Sequence, residues 1–381
     1  MKIAIVRQRY NPYGGAERFV ERALGGLVAE GAEVTLITRS WEGAELRDGY
    51  RQLLCNPPAS GLLRSRVERD RSFARCAQQA MINGGYDITQ AHERIPGCMI
   101  FRAGDGVHAA WLAHLRRVRG PLGRLGLALN PYHRYILAAE RAMFAHPNLR
   151  SVICNSRMVC DEVVRHYGVA PAKLQVIYNG IDLRAFHPGL ADQHRRMLRE
   201  QFAIPQTAPL ILFVGNGFER KGVPQLLRAF SRMQRQDACL LVVGGDRKLA
   251  AAQQLARQLG IERRVRFSGP QADVKPFYGA ADAFALPTLY DPFPNAALEA
   301  LACGLPLLTS HTCGTAELIE EGVSGYLRDA LDESGLADAL DQLAGQGAAM
   351  RLAARAVAEA LSIETMSERL MALYRTLCAA R

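Results

Sequence analysis

The sequence predicts an α/β fold made of two doubly wound domains, each with a parallel sheet covered by helices. Short apolar runs typical of buried strands alternate with helix-length segments in both halves of the chain. The length of 381 residues exceeds the usual size of one domain. A turn-rich stretch over residues 176–189 separates the two halves. We therefore expect domains at residues 1–187 and 188–362, followed by a C-terminal helix over residues 363–381.

The individual elements are predicted from apolar runs and from the residues that stop them. Buried-strand candidates lie at residues 2–6, 34–38, 209–214, 239–243, 265–267, 283–286 and 305–309. Helices are predicted over residues 224–234, 296–303 and 365–379, and a further helix opens after Gly15 and ends near Gly31. The helix over residues 365–379 has an apolar stripe that must pack against a neighbouring element.

Two carboxylates in the second half are the most informative functional feature. Asp291 lies in a turn, because Pro292 and Pro294 restrict the residues before them, and Glu299 lies in the following helix. This helix begins near Asn295, and its N-terminal N–H groups and partial positive charge favour an anion or a sugar hydroxyl. Glu299, one turn further in, is placed to bind a vicinal diol. This geometry suits a nucleotide sugar, and a capped helix with Glu299 on its surface is an alternative that the spacing leaves open.

A glycine-containing loop follows the first strand of each half. Gly14 and Gly15 let the backbone approach a diphosphate closely, and a simple tight turn is the alternative. In the second half, Gly217 precedes Arg220 and Lys221, which either clamp an anion or are two solvated surface cations. Neither loop matches the G-x-G-x-x-G spacing of dinucleotide-binding proteins or the phosphate-binding P-loop.

The pattern Asp291-x7-Glu299, followed by Ala-x-x-x-Gly-x-Pro, resembles the E-x7-E signature of the family 4 retaining glycosyltransferases. Asp291 stands where that family has its first Glu, so the side chain here is one methylene shorter. The resemblance implies the GT-B architecture, in which two facing Rossmann-like domains with doubly wound parallel sheets hold the active site in the interdomain cleft. The N-terminal domain would bind the acceptor and the C-terminal domain the nucleotide-sugar, and the C-terminal helix would cross back to the N-terminal domain.

The same resemblance implies a role for each residue of the motifs. Arg220 and Lys221 would be catalytic, because they would clamp the donor diphosphate and stabilise the charge of the leaving group. The donor-binding residues implied are Gly14, Gly15, Gly217, Asp291, Phe293, Pro294, Asn295 and Glu299. The implied transfer retains the anomeric configuration, uses a UDP-sugar as co-substrate, and requires no metal or other cofactor.

One motif of the first half departs from the family pattern. Many members carry T-x-H-D at the end of a strand, where the His meets the donor sugar, whereas this chain has R-A-G-D over residues 102–105. Asp105 is predicted to be catalytic by positioning the acceptor hydroxyl or the sugar, and a purely structural turn is the alternative. His108 and His92 are candidates for the missing imidazole, and each is equally compatible with a structural role.

Cysteine usage and hydropathy indicate the compartment. The nine cysteines include no C-x-x-C pair, and we expect reduced cytosolic thiols rather than a disulfide or zinc framework. The sequence has no visible secretory signal and no apolar stretch approaching the roughly 20 residues that span a bilayer. With the family resemblance, we expect a cytoplasmic protein that is peripheral on the inner face of the inner membrane.

The net charge of +10 is carried by residues 1–190 and is concentrated within residues 106–150. Trp111, Arg116, Arg117 and Arg119 lie in a basic amphipathic segment that can contact an anionic membrane surface or a phosphorylated glycolipid. The alternative is a set of core helices with a solvated basic face. A nucleic-acid partner is not expected, because no nucleic-acid-binding motif accompanies the charge.

Three loops narrow the resemblance within the family: Tyr13-Gly14-Gly15, Arg39-Ser40-Trp41, and Phe218-x-Arg220-Lys221-Gly222. They are most similar to loops of the lipopolysaccharide core glucosyltransferases. The resemblance implies transfer of a hexose, with glucose favoured, from a UDP-sugar to a lipid-linked glycan, the inner-core heptose of lipopolysaccharide being the expected acceptor. The alternatives are transfer to another cell-surface glycan, a UDP-sugar 2-epimerase of the same fold, and a glycolipid-binding protein without turnover.

Overall fold

The structure is a computed structural model that describes residues 1–10, 31–41, 50–57 and 65–379. The chain divides into two compact units, Met1–Tyr178 with Glu364–Arg381, and Asn179–Ile363. Each unit contains a parallel β-sheet whose strands are joined by helices, which confirms the predicted α/β fold with two Rossmann-like domains. The helix predicted between Gly15 and Gly31 lies outside the described residues.

The described strands of the first unit are β1 (Lys2–Val6), β2 (Arg9–Tyr10), β3 (Glu33–Thr38), β4 (Ser40–Trp41), β5 (Tyr50–Leu54), β6 (Ile88–Ala91), β7 (Ile100–Arg102), β8 (Ser151–Cys154) and β9 (Leu174–Val176). Those of the second unit are β10 (Leu210–Val214), β11 (Cys239–Val243), β12 (Val265–Gly269), β13 (Ala283–Leu286), β14 (Leu307–Ser310) and β15 (Gly325–Arg328).

The described helices of the first unit begin with α1 (Arg66–Asn83), α2 (His108–Arg117), α3 (Pro121–Leu129), α4 (Pro131–Phe144) and α5 (Arg157–Tyr167). The helices of the second unit are α6 (Leu190–Gln201), α7 (Val223–Ser231), α8 (Leu249–Gln258), α9 (Lys275–Ala280), α10 (Asn295–Ala302), α11 (Glu333–Ala344) and α12 (Ala348–Glu359). The last helix, α13 (Ile363–Ala379), returns to the first unit from Glu364 onward.

The sheet of the first unit has the strand order β5-β3-β1-β6-β7-β8-β9 within the described residues, and its pairings are parallel. Residues Ile3 to Val6 of β1 and all of β6 are buried, as expected for strands covered by helices on both faces. The chain winds outward in one direction through β3 and in the other through β6. The loops after β1 and β6 therefore leave neighbouring points of the carboxyl edge, where α/β sheets bind ligands.

The sheet of the second unit repeats this arrangement in the order β12-β11-β10-β13-β14-β15. The central strand β10 is buried throughout and pairs with β11 on one side and β13 on the other, with Ile211 opposite Ala283. The winding direction changes between β10 and β13. The loops after these two strands are therefore adjacent at the carboxyl edge.

The predicted apolar stripe of the last helix is buried in the first unit. Met366, Leu370 and Tyr374 are at most 3% exposed. The Tyr374 hydroxyl donates a hydrogen bond of 2.6 Å to Gln90 Oε1 in β6, so the helix is fixed directly to a central strand. Burial raises the pKa of the Tyr374 hydroxyl, which therefore stays protonated and remains a donor.

The expectation that all cysteines are reduced thiols is wrong for two of them. Cys55, directly after β5, and Cys76 in α1 form a disulfide with their Cα atoms 5.7 Å apart. Only the packing of α1 against the sheet brings the two together, since 21 residues separate them in sequence and no short motif links them.

A buried arginine holds the segments that precede two central strands of the second unit's sheet. Arg199 of α6 is 0% exposed, and its guanidinium donates to the carbonyl oxygens of Pro205, Gln206, Ala208 and Ala280 at 2.8–3.0 Å. The remaining nitrogen, Nη2, lies 2.7 Å from Asp282 Oδ2. These bonds join α6 to the residues before β10 and β13.

Asp282 completes this connection. Its carboxylate accepts the backbone N–H of Leu210 at 2.8 Å and Arg195 Nη1 at 2.8 Å. Burial by itself would raise the pKa of Asp282, but the hydrogen bond from Arg195 and the neighbouring cations lower it overall, so the carboxylate is ionised. Both members of the ion pair are therefore charged and fully hydrogen-bonded, the condition under which burial of charge is tolerated.

We expect Arg199→Met to lower the free energy of unfolding by about 3–5 kcal/mol, because it leaves the Asp282 charge and several carbonyls without their main donor. Urea denaturation followed by circular dichroism measures this change. The control is Arg196→Ala on the same helix, where the side chain is 83% exposed and forms only a 3.7 Å pair with Glu200; we expect a change within about 0.5 kcal/mol. Equal denaturation midpoints for Arg199→Met and the wild type would contradict this role.

Candidate functional site

The loops after β10 and β13 form one surface at the carboxyl edge of the second unit. Residues 215–222 connect β10 to α7, and residues 287–294 connect β13 to α10. The carbonyl of Arg220 accepts the backbone N–H of Leu289 at 2.8 Å and the Thr288 hydroxyl at 2.9 Å. The first loop is therefore hydrogen-bonded to the second at the point where the predicted catalytic cations lie.

Asp291 is at the centre of the charges on this surface. Arg220 Nη1 lies 3.0 Å and Lys221 Nζ 3.1 Å from the same carboxylate oxygen, Asp291 Oδ2. Arg220 also donates to the carbonyl of Tyr290 at 2.9 Å. Among these side chains, Asp291 is 9% exposed, Lys221 12% and Arg220 36%, so Arg220 presents the most open charge. The structure thus joins residues that the sequence separates by about 70 positions.

This cluster carries a net positive charge. Burial by itself would raise the pKa of Asp291, but the charges of Lys221 and Arg220 and their hydrogen bonds outweigh it and hold the pKa below its ordinary value. Asp291 is therefore ionised at neutral pH and balances one of the two cations. The remaining positive charge attracts an anion to the side of the loop on which Arg220 is exposed.

Glycine at position 222 permits the close approach of the two loops. Gly222 has φ of 78°, in the left-handed region, and a Cβ atom there would lie 1.9 Å from the carbonyl oxygen of Pro287. Gly217, the predicted donor-binding glycine of the same loop, also has φ of 78°. The glycines that the sequence analysis noted are therefore required for the backbone path that places Arg220 and Lys221 beside Asp291.

Sequence reasoning missed Asp246, which fixes the conformation of this loop. Asp246 Oδ2 accepts the backbone N–H of Phe218 at 2.8 Å, and Oδ1 accepts that of Lys248 at 2.7 Å. Asn216 Oδ1 accepts the backbone N–H of Gly245 at 2.9 Å in return. Asp246 follows β11, which is the neighbour of β10 in the sheet. A polar residue just after a predicted strand is a signal in the sequence that could have identified it, because the carboxyl ends of adjacent parallel strands lie together.

The N-terminus of α10 is anchored by a residue that the sequence analysis placed in a linker. Asn179 Nδ2 donates to the Asn295 side-chain oxygen at 2.7 Å and to the carbonyl of Phe293 at 3.3 Å. Pro294 precedes the first helical residue, Asn295, as predicted from the proline-broken turn. The structure thus places the predicted donor-binding residues Phe293, Pro294 and Asn295 in a segment that Asn179 holds in position.

Glu299 lies inside α10 and is 4% exposed. Its Oε2 accepts a hydrogen bond of 2.9 Å from the Tyr278 hydroxyl, which also donates toward the carbonyl of Ala296 at 3.2 Å. The surface-residue alternative for Glu299 is therefore wrong. Tyr278 is a second residue that sequence reasoning missed, and no local pattern marks it, since 21 positions separate it from Glu299.

In the first unit, Asp105 lies in the turn after β7 between two guanidinium groups. Arg94 Nη1 is 3.7 Å and Arg7 Nη1 3.9 Å from Asp105 Oδ2. The Asp105 side chain is 51% exposed, whereas those of Arg94 and Arg7 are 14% and 13% exposed. The predicted catalytic carboxylate is therefore open to a ligand and is held by two arginines that are themselves nearly buried.

The departure from the T-x-H-D pattern has a structural counterpart. A Cβ atom at Gly104, where the family has His, would lie 2.3 Å from Arg102 Nη1. Arg102 is 2% exposed, and burial, only partly offset by Asp105, lowers its pKa to about 9. The guanidinium of Arg102 therefore occupies the space into which a side chain at position 104 would extend.

Glu140 of α4 connects the elements around this turn. Its Oε1 accepts Arg94 Nε at 3.1 Å and the backbone N–H of His108 at 2.9 Å. Its Oε2 accepts a hydrogen bond from the hydroxyl of Tyr167. Burial and the charge of this carboxylate raise the pKa of the Tyr167 hydroxyl. Glu140 is 1% exposed. It is thus a third residue that sequence reasoning missed, and it sets the position of Arg94 and of the first turn of α2.

The two candidate histidines lie in different surroundings. His108 Nε2 is 3.1 Å from His133 Nδ1, and burial together with the charges of Arg94, His133 and Arg66 lowers its pKa to about 4. His92 is 3% exposed, and its Nε2 lies 3.0 Å from Gln90 Nε2. Burial, together with the charges of Arg102 and Arg7, holds the pKa of His92 well below the usual range. Both rings are therefore neutral at physiological pH.

The residues predicted to face a membrane lie on α2 and directly after it. Trp111 is half-buried, whereas Arg116, Arg117 and Arg119 are exposed. The apolar face of this amphipathic segment packs inward on α2, since Leu112 and Leu115 are buried. Exposed apolar side chains lie instead on α3, where Leu122, Leu125 and Leu129 are 86%, 57% and 64% exposed.

Gly14 and Gly15, which are predicted to bind the donor, lie outside the residues that the structure describes. Within the described ranges, no group of three or more His, Cys, Asp or Glu side chains is arranged to hold a metal ion. Also within these ranges, no helix combines the length and the apolar character needed to cross a membrane.

The neutral state of His108 predicts a pH dependence of stability. Because its pKa is about 4 in the folded chain and 6.5 when unperturbed, the unfolded state binds more protons between these values. Stability is therefore full above about pH 6.5 and falls as the pH is lowered toward 4. We expect His108→Gln to reduce the loss of Tm between pH 7 and pH 5, as measured by scanning calorimetry. The exposed His311→Gln serves as the control, and an unchanged pH dependence of Tm in His108→Gln would contradict the assignment.

Two family models match the chain. The model described as Glycosyltransferase Family 4 matches residues 13–185, and the model described as Glycosyl transferases group 1 matches residues 194–360. The chain is 28% identical over 336 residues to lipopolysaccharide glucosyltransferase WaaG of Escherichia coli (strain K12), covering 85% of this chain and 84% of WaaG. It is 30% identical over 343 residues to D-inositol 3-phosphate glycosyltransferase 2 of Catenulispora acidiphila, covering 82% of this chain and 78% of that protein.

Solved structures share the fold. A crystal structure of WaaG, a glycosyltransferase involved in lipopolysaccharide biosynthesis, has a TM-score of 0.81 at 24% identity and covers 98% of this chain and 99% of its own. The structure of Anabaena Alr3699/HepE in complex with UDP and glucose has a TM-score of 0.71 at 19% identity and covers 99% and 100%. The two sheets, the carboxylate motif and these matches together agree with the prediction from sequence: the chain belongs to the family 4 glycosyltransferases of GT-B fold and is similar to the lipopolysaccharide core glucosyltransferase WaaG.

Proposed function

We propose that the chain transfers a hexose, glucose in the first instance, from a UDP-sugar to a lipid-linked glycan, with an inner-core heptose of lipopolysaccharide as the acceptor. The observation that carries this proposal is the pair of cations on one buried carboxylate, Arg220 and Lys221 on Asp291, in a glycine-rich loop at the carboxyl edge of a parallel sheet. Such a cluster suits a nucleoside diphosphate. The similarity to WaaG, a lipopolysaccharide glucosyltransferase, supports lipopolysaccharide as the acceptor. The complex of HepE with UDP and glucose supports UDP-glucose as the donor.

In the proposed reaction, the acceptor hydroxyl oxygen bonds to the anomeric carbon as the bond from that carbon to the β-phosphate oxygen breaks. The phosphate oxygen takes the acceptor proton on the same face, so the anomeric configuration is retained and no protein nucleophile is needed. Negative charge develops on the oxygen that held the sugar while its bond breaks, before the proton is fully transferred, and UDP leaves with that proton bound. Arg220 and Lys221 stabilise this charge where it develops, which lowers the barrier without a metal ion.

The other residues of the loop surface hold the donor. Asp291 keeps both cations in position through Oδ2 and accepts a hydroxyl of the donor sugar through Oδ1. Glu299, fixed by Tyr278, accepts the ribose hydroxyls, and the N–H groups at the start of α10 face the sugar. In the first unit, Asp105 positions the acceptor hydroxyl.

The donor is identified by nucleotide release from UDP-glucose, UDP-galactose, UDP-N-acetylglucosamine, UDP-N-acetylgalactosamine and GDP-mannose, each with and without truncated lipopolysaccharide, in the presence of EDTA. We expect release of UDP that depends on the acceptor and is insensitive to EDTA, with UDP-glucose as the fastest donor. Production of an epimerised UDP-sugar without acceptor would favour the 2-epimerase alternative. The absence of nucleotide release with every donor would favour a glycolipid-binding protein without turnover.

We expect Lys221→Ala to lower kcat/KM by about 100- to 1,000-fold, because it removes a donor that acts mainly on the leaving group. The measurement is steady-state nucleotide release with the donor identified above. Lys275→Ala is the matched control, since Lys275 is an ion-paired lysine of the same unit whose side chain is 42% exposed, and we expect a change below about fivefold. Near-normal turnover of Lys221→Ala would contradict the proposed role of the loop.

We also propose that α3 and the arginines before it bring the enzyme to an anionic membrane on the cytoplasmic side. Leu122, Leu125 and Leu129 recur at helical spacing on a helix in which no described residue is buried, an arrangement that leaves them exposed to water unless a membrane covers them. Arg116, Arg117 and Arg119 are exposed next to them and suit anionic headgroups.

We expect the triple change Leu122→Ser, Leu125→Ser and Leu129→Ser to release the protein from phosphatidylglycerol vesicles in a sedimentation assay. Replacing Arg116, Arg117 and Arg119 by Gln should weaken binding in proportion to the anionic lipid fraction, since the charges act on the surface potential. Leu352→Ser, at a leucine of the second unit that is 72% exposed, is the control and should leave vesicle binding unchanged. Unaltered binding of both multiple variants would reject the membrane role of this surface.

A further inference from the structure

A cavity of 270 Å³ opens at the carboxyl edge of the first unit's sheet. Gln8 and Arg9 line it from the segment after β1, and Glu93 and Arg94 line it from the loop after β6. These are the two strands between which the winding of the sheet changes direction. Helices α1 and α4 close the other sides. The cavity thus lies where an open α/β sheet binds its ligand, in the same relation to its sheet as the Asp291 cluster has in the second unit.

The lining of the cavity carries groups that bind both hydroxyls and anions. Three carboxylates, Asp70, Glu93 and Asp105, are acceptors for hydroxyl donors. Four guanidinium groups also line it, those of Arg9, Arg66, Arg69 and Arg94. Arg7 and Arg39 lie directly behind this lining, with Arg7 next to Glu93 and Arg39 bonded to the backbone of Arg69. Positive charge therefore exceeds negative charge around the cavity.

The ion pairs that the lining carboxylates form with described arginines are long. Arg7 to Glu93 measures 3.5 Å, Arg69 to Asp70 3.7 Å, and Arg66 to Asp70 4.0 Å. The two pairs that hold Asp105 measure 3.7 and 3.9 Å. Charge-assisted hydrogen bonds are typically about 2.7–2.9 Å long, and the contacts in the cluster of the second unit, at 3.0 and 3.1 Å, come closer to that length. Two of the carboxylates are instead bonded to Gln8, whose Nε2 donates to Asp70 Oδ1 at 3.1 Å and whose backbone N–H donates to Glu93 Oε1 at 3.1 Å. The charged groups of the lining attract one another without closing bonds between them, so a polar ligand atom can bridge them.

Two of the lining arginines, Arg94 and Arg66, contact neighbouring groups that orient them. Arg94 is held by Glu140 at 3.1 Å and by the carbonyl of Gly106 at 3.1 Å. The guanidinium of Arg66 lies over the ring of Tyr132, 4.1 Å from its centroid. A guanidinium stacked on an aromatic ring still presents its N–H groups in its own plane, a geometry that suits the oxygens of a phosphate. Tyr132 and Tyr135 provide an aromatic wall beside these groups.

We propose that this cavity binds the phosphorylated part of a sugar acceptor, with the phosphate on Arg66 and Arg69 and the sugar hydroxyls on Glu93 and Asp105. Three carboxylates would repel a bare phosphate, and an uncharged sugar would leave the excess guanidinium charge unbalanced. A sugar that carries a phosphate satisfies both sets of groups. The inference rests on the proposed function, since it names the class of acceptor for the same transfer.

The first test is calorimetric titration of the full chain with glucose 6-phosphate, mannose 6-phosphate and myo-inositol 1-phosphate, each beside its unphosphorylated parent and inorganic phosphate. At least one phosphate ester is expected to bind at least about tenfold more tightly than its parent and than inorganic phosphate. The double variant Arg66→Gln, Arg69→Gln should lose this preference. Arg75→Gln, an exposed arginine of the same helix outside the cavity lining, should keep it.

Equal binding of every ester and its parent overturns the proposal, as does unchanged ester binding by the double variant. Equally tight binding of inorganic phosphate also overturns it, because a simple anion site would then suffice. The second test is transfer to truncated lipopolysaccharide before and after removal of its phosphates, where KM for the acceptor should rise on dephosphorylation in the wild type and change little in the double variant.

The two tests separate this inference from the proposed function. Lys221→Ala should bind the phosphate ester like the wild type, because Lys221 belongs to the second unit and not to the cavity. Binding of the ester without turnover of any nucleotide-sugar would reject the transferase and keep the cavity assignment. Turnover with equal acceptor KM for both forms of lipopolysaccharide would reject the cavity assignment and keep the transferase.

Discussion

The candidate donor site depends on one buried carboxylate that holds two cations. Asp291 Oδ2 lies within 3.1 Å of both Arg220 Nη1 and Lys221 Nζ, and the loop that carries both cations would otherwise place like charges beside each other. The carboxylate offsets their repulsion and leaves one net positive charge. An Asp in place of the family's Glu is compatible with this arrangement, because the shorter side chain still reaches both cations. Glycine at 222 is equally necessary, since the backbone path of Arg220 and Lys221 passes against the carbonyl of Pro287.

The two units apply the same topological rule with different chemistry. In each, the winding of a parallel sheet changes direction at a central strand, and the loops that leave this point carry the polar side chains. In the second unit they converge in short contacts on one carboxylate, which makes a compact cationic site. In the first unit Glu140 and Arg94 form a rigid base, and the carboxylates and guanidiniums above it remain 3.5–4.0 Å apart. The first arrangement suits a diphosphate and the second a ligand with hydroxyls as well as charge.

Much of this could be read from the sequence, because the relevant signals are local. The strands at 2–6, 239–243 and 283–286 are continuous apolar runs, and the start of α10 is set by two prolines. The residues that were missed act over long separations. Asp246 binds a loop about 30 residues away, Glu140 binds Arg94 across 46 residues, and Tyr278 binds Glu299 across 21 residues. The Cys55–Cys76 disulfide was missed for the same reason. The amphipathic stripe of α2 was detected, but periodicity alone did not tell a face that packs on the core from one that is exposed.

The most direct test of the central claim is a crystal structure of the chain with UDP, grown in the presence of EDTA. We expect the β-phosphate to lie within hydrogen-bond distance of Arg220 and Lys221, with the ribose hydroxyls on Glu299 and no metal ion bridging the phosphates. A diphosphate bound away from residues 215–222, or bound to this loop only after a metal ion is added, would contradict it.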